Sequence, residues 1–287
     1  MFIVLILIFF LFLCVGSFLN VVAYRITFDK NFFKARSYCP KCECLIVWYD
    51  NIPIISWFVL KGKCRKCKAK ISYLYPFIEI TTALVMSVLF FKIFYLDPTL
   101  SINFGSDLFA NVEIDQFVHS SFLDFSTKNI LKFFSYIIFF GALIVSTRTD
   151  LEAMVIPQCF TLWLVPFGVL FSFLHFTNIS GFESLIGAIL GYGVLWAVAK
   201  VFKKLSGKDG LGEGDMELLA LIGSFLGPMG VWFALMVASI SGLLVGIIYL
   251  LFAKKNLRTK IPFGPFLALG SFVYFLFDSF LIKLFFV

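Results

Sequence analysis

Long apolar runs, separated by short polar or basic stretches, set the pattern of this chain. Eight runs stand out, at about 2–24, 71–95, 132–149, 154–176, 181–201, 215–228, 230–252 and 263–286. Runs of this kind, nearly free of charge, predict helices that cross a hydrocarbon core of roughly 30 Å. The sixth is too short to cross alone and is expected to be tilted or only partly inserted. The pattern predicts an all-α, polytopic membrane protein of about eight transmembrane helices, and shows no internal repeat. The first run has no basic residue before it and meets its first arginine, Arg25, only at its far end. It reads as an uncleaved anchor with its N-terminus outside, not as a signal peptide.

Composition agrees. Of 287 residues, 61% are apolar, 19% aromatic and 14% charged, too little polar surface to cover a soluble globule of this size. The abundance of Phe fits lipid-facing surface. Threading the runs alternately puts 25–70, 148–153, 200–213 and 254–260 on one side. These segments carry 20 of the 24 Lys and Arg, leaving Lys92, Lys128, Lys132 and Lys283 for the other. That asymmetry names the basic side as cytosol. The net charge of +7 therefore reports topology and contact with anionic lipid, not nucleic-acid binding. The outer segment 96–131 contains Asp97, Asp107, Glu113, Asp115 and Asp124 and reads as an acidic loop, with His119 a solvated residue.

Five of the seven cysteines fall in one cytosolic stretch as Cys39, Cys42, Cys44, Cys64 and Cys67. Their spacing is C-x2-C, 21 residues, C-x2-C. Each pair can form a thiolate knuckle, and two knuckles close a tetrahedral structural Zn²⁺ site. Two disulfides are the alternative, which a reducing cytosol disfavours. Cys44 either replaces Cys42 as a ligand or sits nearby. Four thiolates leave no open coordination position, so the metal would order the loop without being the catalyst. Cys14 and Cys159 are expected to be small buried residues.

Ionisable groups at or within spans are costly and mark function, which singles out Asp150 and Asp215 at cytosolic span ends. Asp150 is followed by Pro157, expected to kink the next helix early; Asp215 closes the sequence Gly-Glu-Gly-Asp. Gly212 and Gly214 remove side-chain bulk beside that carboxylate. Alone, either aspartate reads equally well as a helix cap. As a pair on different helices at one depth, they can share a proton, one acting as base on water and the other donating to a scissile carbonyl. With Asp215 at a helix N-terminus and Asp150 near a C-terminus, Asp215 is the expected base, although Asp150 could equally start the following helix. Glu152, Glu213 and Glu217 nearby are expected to be solvated, and Glu183 and Asp278 to serve packing or interfacial roles.

In these residues the chain resembles the bacterial type IV prepilin peptidases, GxGD-type aspartic peptidases of the inner membrane. The blocks that carry the resemblance, in order, are GSFLNVVAYR at 16–25, RSYCPKC at 36–42, WYDNIPIISW at 48–57 and GKCRKCKAKISYLYPFIE at 62–79. DLEAMVIP at 150–157, GEGDMELLALIGSFLG at 212–227 and IPFGPFLALG at 261–270 complete the series. The resemblance implies an eight-helix multi-pass protein that cuts prepilin or pseudopilin precursors after a leader-ending Gly at the cytosolic face. It implies Asp150 and Asp215 as catalytic residues and Cys39, Cys42, Cys64 and Cys67 as the four-cysteine set. Many members also methylate the new N-terminal amine with S-adenosylmethionine. No glycine-rich nucleotide fingerprint is visible, so that chemistry would lie within 16–79. The implied organisation is a first span at 1–24, a zinc domain at 25–70, a second span with the acidic periplasmic loop at 71–131, and a six-span peptidase domain at 132–287. Two positions depart from the family pattern: Glu217 stands where Lys is usual, and Gln158 where Asp is common. The competing readings are an intramembrane peptidase without methylation, and a transporter relaying protons through the two aspartates. The second would call for inverted repeats or paired broken helices, and none is visible.

Overall fold

The computed structural model describes residues 2–28, 30, 37–95, 127–207, 210, 212–253 and 261–286. The acidic segment with His119 lies outside the described residues up to 126. The fold is helical, as the run pattern predicts. Its helices are α1 (Phe2–Thr27), α2 (Ile55–Val59), α3 (Leu74–Phe94), α4 (Thr127–Ala153), α5 (Val165–Phe173), α6 (Gly181–Ser206), α7 (Glu213–Ala253) and α8 (Gly264–Phe286). Five of them, α1, α3, α4, α6 and α7, are long and apolar enough to cross a membrane. Two shorter apolar stretches, Gln158–Phe173 and Gly264–Asp278, accompany them.

Two differences from the expected spans have local causes. α4 begins at Thr127, ahead of the apolar run at 132, because a polar first turn does not stop a helix once its later turns are packed. The run at 154–176 is not one helix. α4 ends where Met154 adopts a left-handed φ of 53°. After Pro157 the chain makes two 3-10 turns, Gln158–Phe160 and Leu162–Leu164, before α5 begins. Pro157 thus breaks the segment rather than kinking it, since it cannot donate into a preceding turn.

α7 carries the sixth and seventh apolar runs. Gly227 within it has φ 74° and ψ −174°, and Pro228 follows. Neighbouring contacts show that the chain turns back there. Gly187 and Gly191 of α6 meet Gly223 and Leu219, so the arm 213–226 runs antiparallel to α6. Gly230 and Gly270 pair with Tyr274 and Ala234, so the arm 228–253 runs antiparallel to α8. Gly214 and Gly264 both touch Ile156, so the first arm and α8 start at one end of the bundle and the second arm returns to it.

Small residues let the backbones approach. A methyl at Gly187 or at Gly223 would overlap the other residue's backbone, and one at Gly16 in α1 would meet Glu79 Cα at 2.9 Å. Phenylalanine fills the interior as well as facing outward: Phe139, Phe140, Phe225, Phe233 and Phe275 are fully buried, with Phe139 stacked on Phe225 at 4.7 Å. At the end away from Ile156, Lys92 pairs with Asp278 at 3.4 Å and bonds the Phe275 carbonyl. Glu183 closes a capping box with Ser180 at the start of α6.

Candidate active site and metal site

Asp150 lies in the last turn of α4 and Asp215 in the first turn of α7, the placement the dipole argument assumed. Asp150 is buried, and its Oδ2 accepts a 2.9 Å hydrogen bond from the Gly264 amide at the start of α8. Asp215 is half-buried; its carboxylate accepts from the Gly212 amide, while its own amide donates to the Gly212 carbonyl at 3.3 Å. The carboxylate's bond to the Gly212 amide is one half of a capping box; glycine has no side chain to supply the other half, and its carbonyl takes that place. The two carboxylates are close enough to interact electrostatically.

Ile156 is packed between Gly214 and Gly264. A methyl at Gly214 would lie 2.8 Å from its Cβ, and one at Gly264 would lie 2.8 Å from Asp150 Oδ2. Glycine at 214 and 264 is therefore what lets α7 and α8 close on the end of α4. The sequence marked Gly214 as leaving room for a substrate backbone, whereas the structure shows that it makes room for Ile156; Gly264 was not legible at all, because its partner is 114 residues away.

Glu217 corrects an expectation. It is not solvated but buried, accepting from Gln158 Nε2 and Thr161 Oγ1, each at 2.9 Å. The two departures from the family pattern thus touch, and their joint occurrence was the signal available in the sequence. Glu213 is exposed, as expected, and Glu152 is paired at 2.7 Å with Arg148. Arg148 is fully buried, lies over the Tyr75 ring and donates to Asn20, whose amide donates to the Tyr75 carbonyl. One guanidinium thereby ties α1 and α3 to the turn that carries Asp150. Cys14 and Cys159 are exposed rather than buried.

The four expected thiols come together: Sγ atoms of Cys39, Cys42, Cys64 and Cys67 all lie within 4.8 Å of one another, with Cys39 and Cys67 at 3.8 Å. A tetrahedral Zn–S site with bonds of about 2.3 Å spaces its sulfurs by about 3.8 Å, so the cluster fits such an ion. Its two halves repeat one design. Cys39 and Cys64 donate their amides to the carbonyls of Cys44 and Ala69, and accept from the amides of Glu43 and Lys68. Glu43 and Lys68 both take a left-handed φ, 53° and 56°. Cys44 therefore matches Ala69 and contributes backbone, not a ligand. The Cys67 amide, with other local donors, brings the Cys64 thiol down to about 7. The Cys44 amide favours the Cys42 thiolate, but desolvation and neighbouring thiols outweigh it and push that thiol up to about 12. Asp50 receives two hydrogen bonds from Arg65, at 2.6 and 2.7 Å, which hold its carboxyl below the usual range.

Between this domain and the α1–α3 pair is a pocket of about 490 Å³, walled by Tyr24, Tyr38, Trp57, Tyr75, Glu79 and Glu152 among others. Its size falls within the range of small-molecule sites.

A helical, multi-pass membrane protein with two aspartates converging at one end and a four-thiol domain on that same end defines the class. The chain belongs to the type IV leader peptidase family. The model of that family matches residues 137–247, and the model described as Bacterial Peptidase A24 N-terminal domain matches 10–93. The prepilin leader peptidase/N-methyltransferase of Aeromonas salmonicida is 32% identical over 286 residues, covering 91% of this chain and 86% of that protein. The protein of the same name from Dichelobacter nodosus is 32% identical, with 93% and 89% covered. That of Pseudomonas aeruginosa is 29% identical, with 91% and 86% covered. No solved structure matches the chain.

Proposed function

We propose that this protein is a prepilin peptidase of the bacterial inner membrane that cleaves prepilin or pseudopilin precursors at the cytosolic face, using Asp150 and Asp215, and then methylates the new N-terminal amine. The observation that carries the peptidase half is the approach of these two carboxylates, from the last turn of α4 and the first turn of α7, with Asp150 held by the Gly264 amide. Asp215, in a helix's first turn where the macrodipole is positive, acts as base and takes a proton from water. Asp150, buried at a C-terminal turn, donates its proton to the oxygen of the scissile carbonyl as the hydroxide adds to carbon. The pair then returns a proton to the leaving amine, and the shared-proton state is restored.

The organisation that goes with this reading is a span at 1–24, a zinc domain at 25–70, a second span and periplasmic loop at 71–131, and a six-span peptidase domain at 132–287. Cys39, Cys42, Cys64 and Cys67 would hold a structural Zn²⁺ that orders the 25–70 segment. S-adenosylmethionine, supplying an electrophilic methyl group, would bind in the pocket between that domain and α1–α3, where aromatic rings suit a sulfonium. The basic segments keep the dyad's end in the cytosol, and lipid is the remaining partner. Asp150→Asn and Asp215→Asn should each abolish leader cleavage in a mass-spectrometric assay with a prepilin, while the protein stays inserted. Cleavage within about tenfold of wild type by either variant would sink the assignment, since one carboxylate cannot serve as both acid and base.

A further inference from the structure

The pocket beside the four-thiol domain contains a carboxylate that forms no ion pair among the described residues, although Arg25, Lys41, Arg65, Lys66 and Lys70 also line it. Glu79, in the second turn of α3, is 7% exposed. Its Oε2 accepts from the Ile54 amide at 2.8 Å, and its other partner is the Ser17 hydroxyl. Among the described residues no Lys or Arg forms an ion pair with it. A buried anion with only neutral partners is costly to keep, and the cost is recovered when a cation arrives.

The surroundings are built around this group. Ile54 holds φ 63° and ψ −55°, a conformation that a β-branched residue avoids. Its amide is aimed at Glu79, so the strain is tied to this site. Gly16 lets α1 press on the Glu79 backbone, which brings Ser17 alongside. Tyr24, Tyr38, Trp57 and Tyr75 line the same pocket. Carboxylate and aromatic faces together are the chemistry that receives a positively charged nitrogen or sulfur centre.

Position selects between the two. Glu152 also walls the pocket and is two residues beyond Asp150 on α4, so pocket and dyad lie on opposite faces of one helix end, about 10 Å apart. Cleavage at the dyad releases an amine on a substrate whose apolar helix stays in the bilayer. Such an amine can reach a group at the level of α3's second turn more readily than the outer part of the thiol domain.

We propose that Glu79 is the binding site for the N-terminal ammonium of the cleaved substrate, and the base that frees its nitrogen for methylation. The proposal rests on reading the protein as a methyltransferase. The ammonium has no lone pair until a proton moves from its nitrogen to a Glu79 carboxylate oxygen. The nitrogen then forms the new C–N bond as the C–S bond of the sulfonium donor breaks, with that pair left on sulfur. A second proton is lost to water.

The test uses full-length protein in nanodiscs and a synthetic peptide with the mature substrate's N-terminal sequence, either free or N-acetylated. Wild type should bind the free-amine peptide about tenfold more tightly than the acetylated one, by calorimetry. Glu79→Gln should erase that preference and lower methylation by about a hundredfold or more. Glu79→Asp, which keeps the charge, should retain part of the preference. Leader cleavage should stay within about twofold in both variants, which also shows them folded. An undiminished preference for the free amine in Glu79→Gln overturns the proposal. So does loss of S-adenosylhomocysteine binding with the amine preference intact, which would assign Glu79 to the donor. If wild type binds S-adenosylhomocysteine but methylates nothing, the methyltransferase reading fails, while the amine preference still decides the role of Glu79.

Discussion

The Gly264 amide holds Asp150 from the first turn of α8, at a point where a single methyl would lie 2.8 Å from the carboxylate oxygen. Gly264→Ala must therefore move either the helix or the carboxylate. Displacement of about 1 Å can cost about a hundredfold in rate. We expect cleavage to fall by one to two orders of magnitude, about 10- to 100-fold, while thermal stability changes little, as measured by initial rates and a melting curve. A variant as active as wild type would show that the amide is not part of the machinery. Asp150, Asp215 and the four thiols were legible in the sequence because rare ionisable groups in apolar context, and paired C-x2-C spacings, stand out locally. Glu217 and Glu79 were not legible as buried groups. In a membrane helix both the lipid face and the core face are apolar, so the neighbours of a glutamate do not reveal which way it points.

The α6 helix and the first arm of α7 meet through Gly187, Gly191 and Gly223, backbone against backbone, with Ser184 donating to the Ser224 carbonyl at 2.6 Å. Gly223→Ala places a methyl where the Gly187 carbonyl stands. Overpacking of this kind costs about 1–3 kcal/mol. The expected outcome is a lower melting temperature in detergent, together with weaker cleavage, because the arm that moves carries Asp215. An unchanged melting temperature would mean that the contact is not load-carrying. The helices themselves could be read from length and apolarity, and Gly227 with Pro228 divides the sixth and seventh runs where the reversal occurs. The break within 154–176 was read only as a kink. Apolar composition there gives no hint that the chain spends six residues in 3-10 turns. That irregular stretch supplies Gln158 and Thr161 to Glu217, and a regular helix would carry them past it.

At the scale of the whole molecule, the thiol domain, the pocket and the dyad share one end of the bundle, joined through Arg148, Asn20 and Tyr75. About one zinc per chain is expected by elemental analysis of reduced protein, lost when Cys39 and Cys64 are both changed to Ser. Because Tyr38 and Trp57 wall the pocket, the same variant should lose S-adenosylhomocysteine binding, whereas zinc-free wild type would reject the assignment. That four thiols of this region come together was visible in its cysteine spacing. That it folds back against α1, α3 and the end of α4 depends on contacts between distant segments, which no local pattern encodes. The first arm of α7 has a further consequence. Its 14 helical residues, 213–226, rise only about 21 Å, while the 27 residues of α4 rise about 40 Å. From Met216 to Gly227 the arm is buried at every residue, so neighbouring helices and not lipid enclose it. A helix enclosed in this way need not match the bilayer's thickness, and its short rise costs nothing in lipid distortion. Cleavage rates in vesicles of short-chain and long-chain phosphatidylcholine at equal fluidity should then agree within about twofold, and a steep dependence on acyl length would show that lipid reaches the arm.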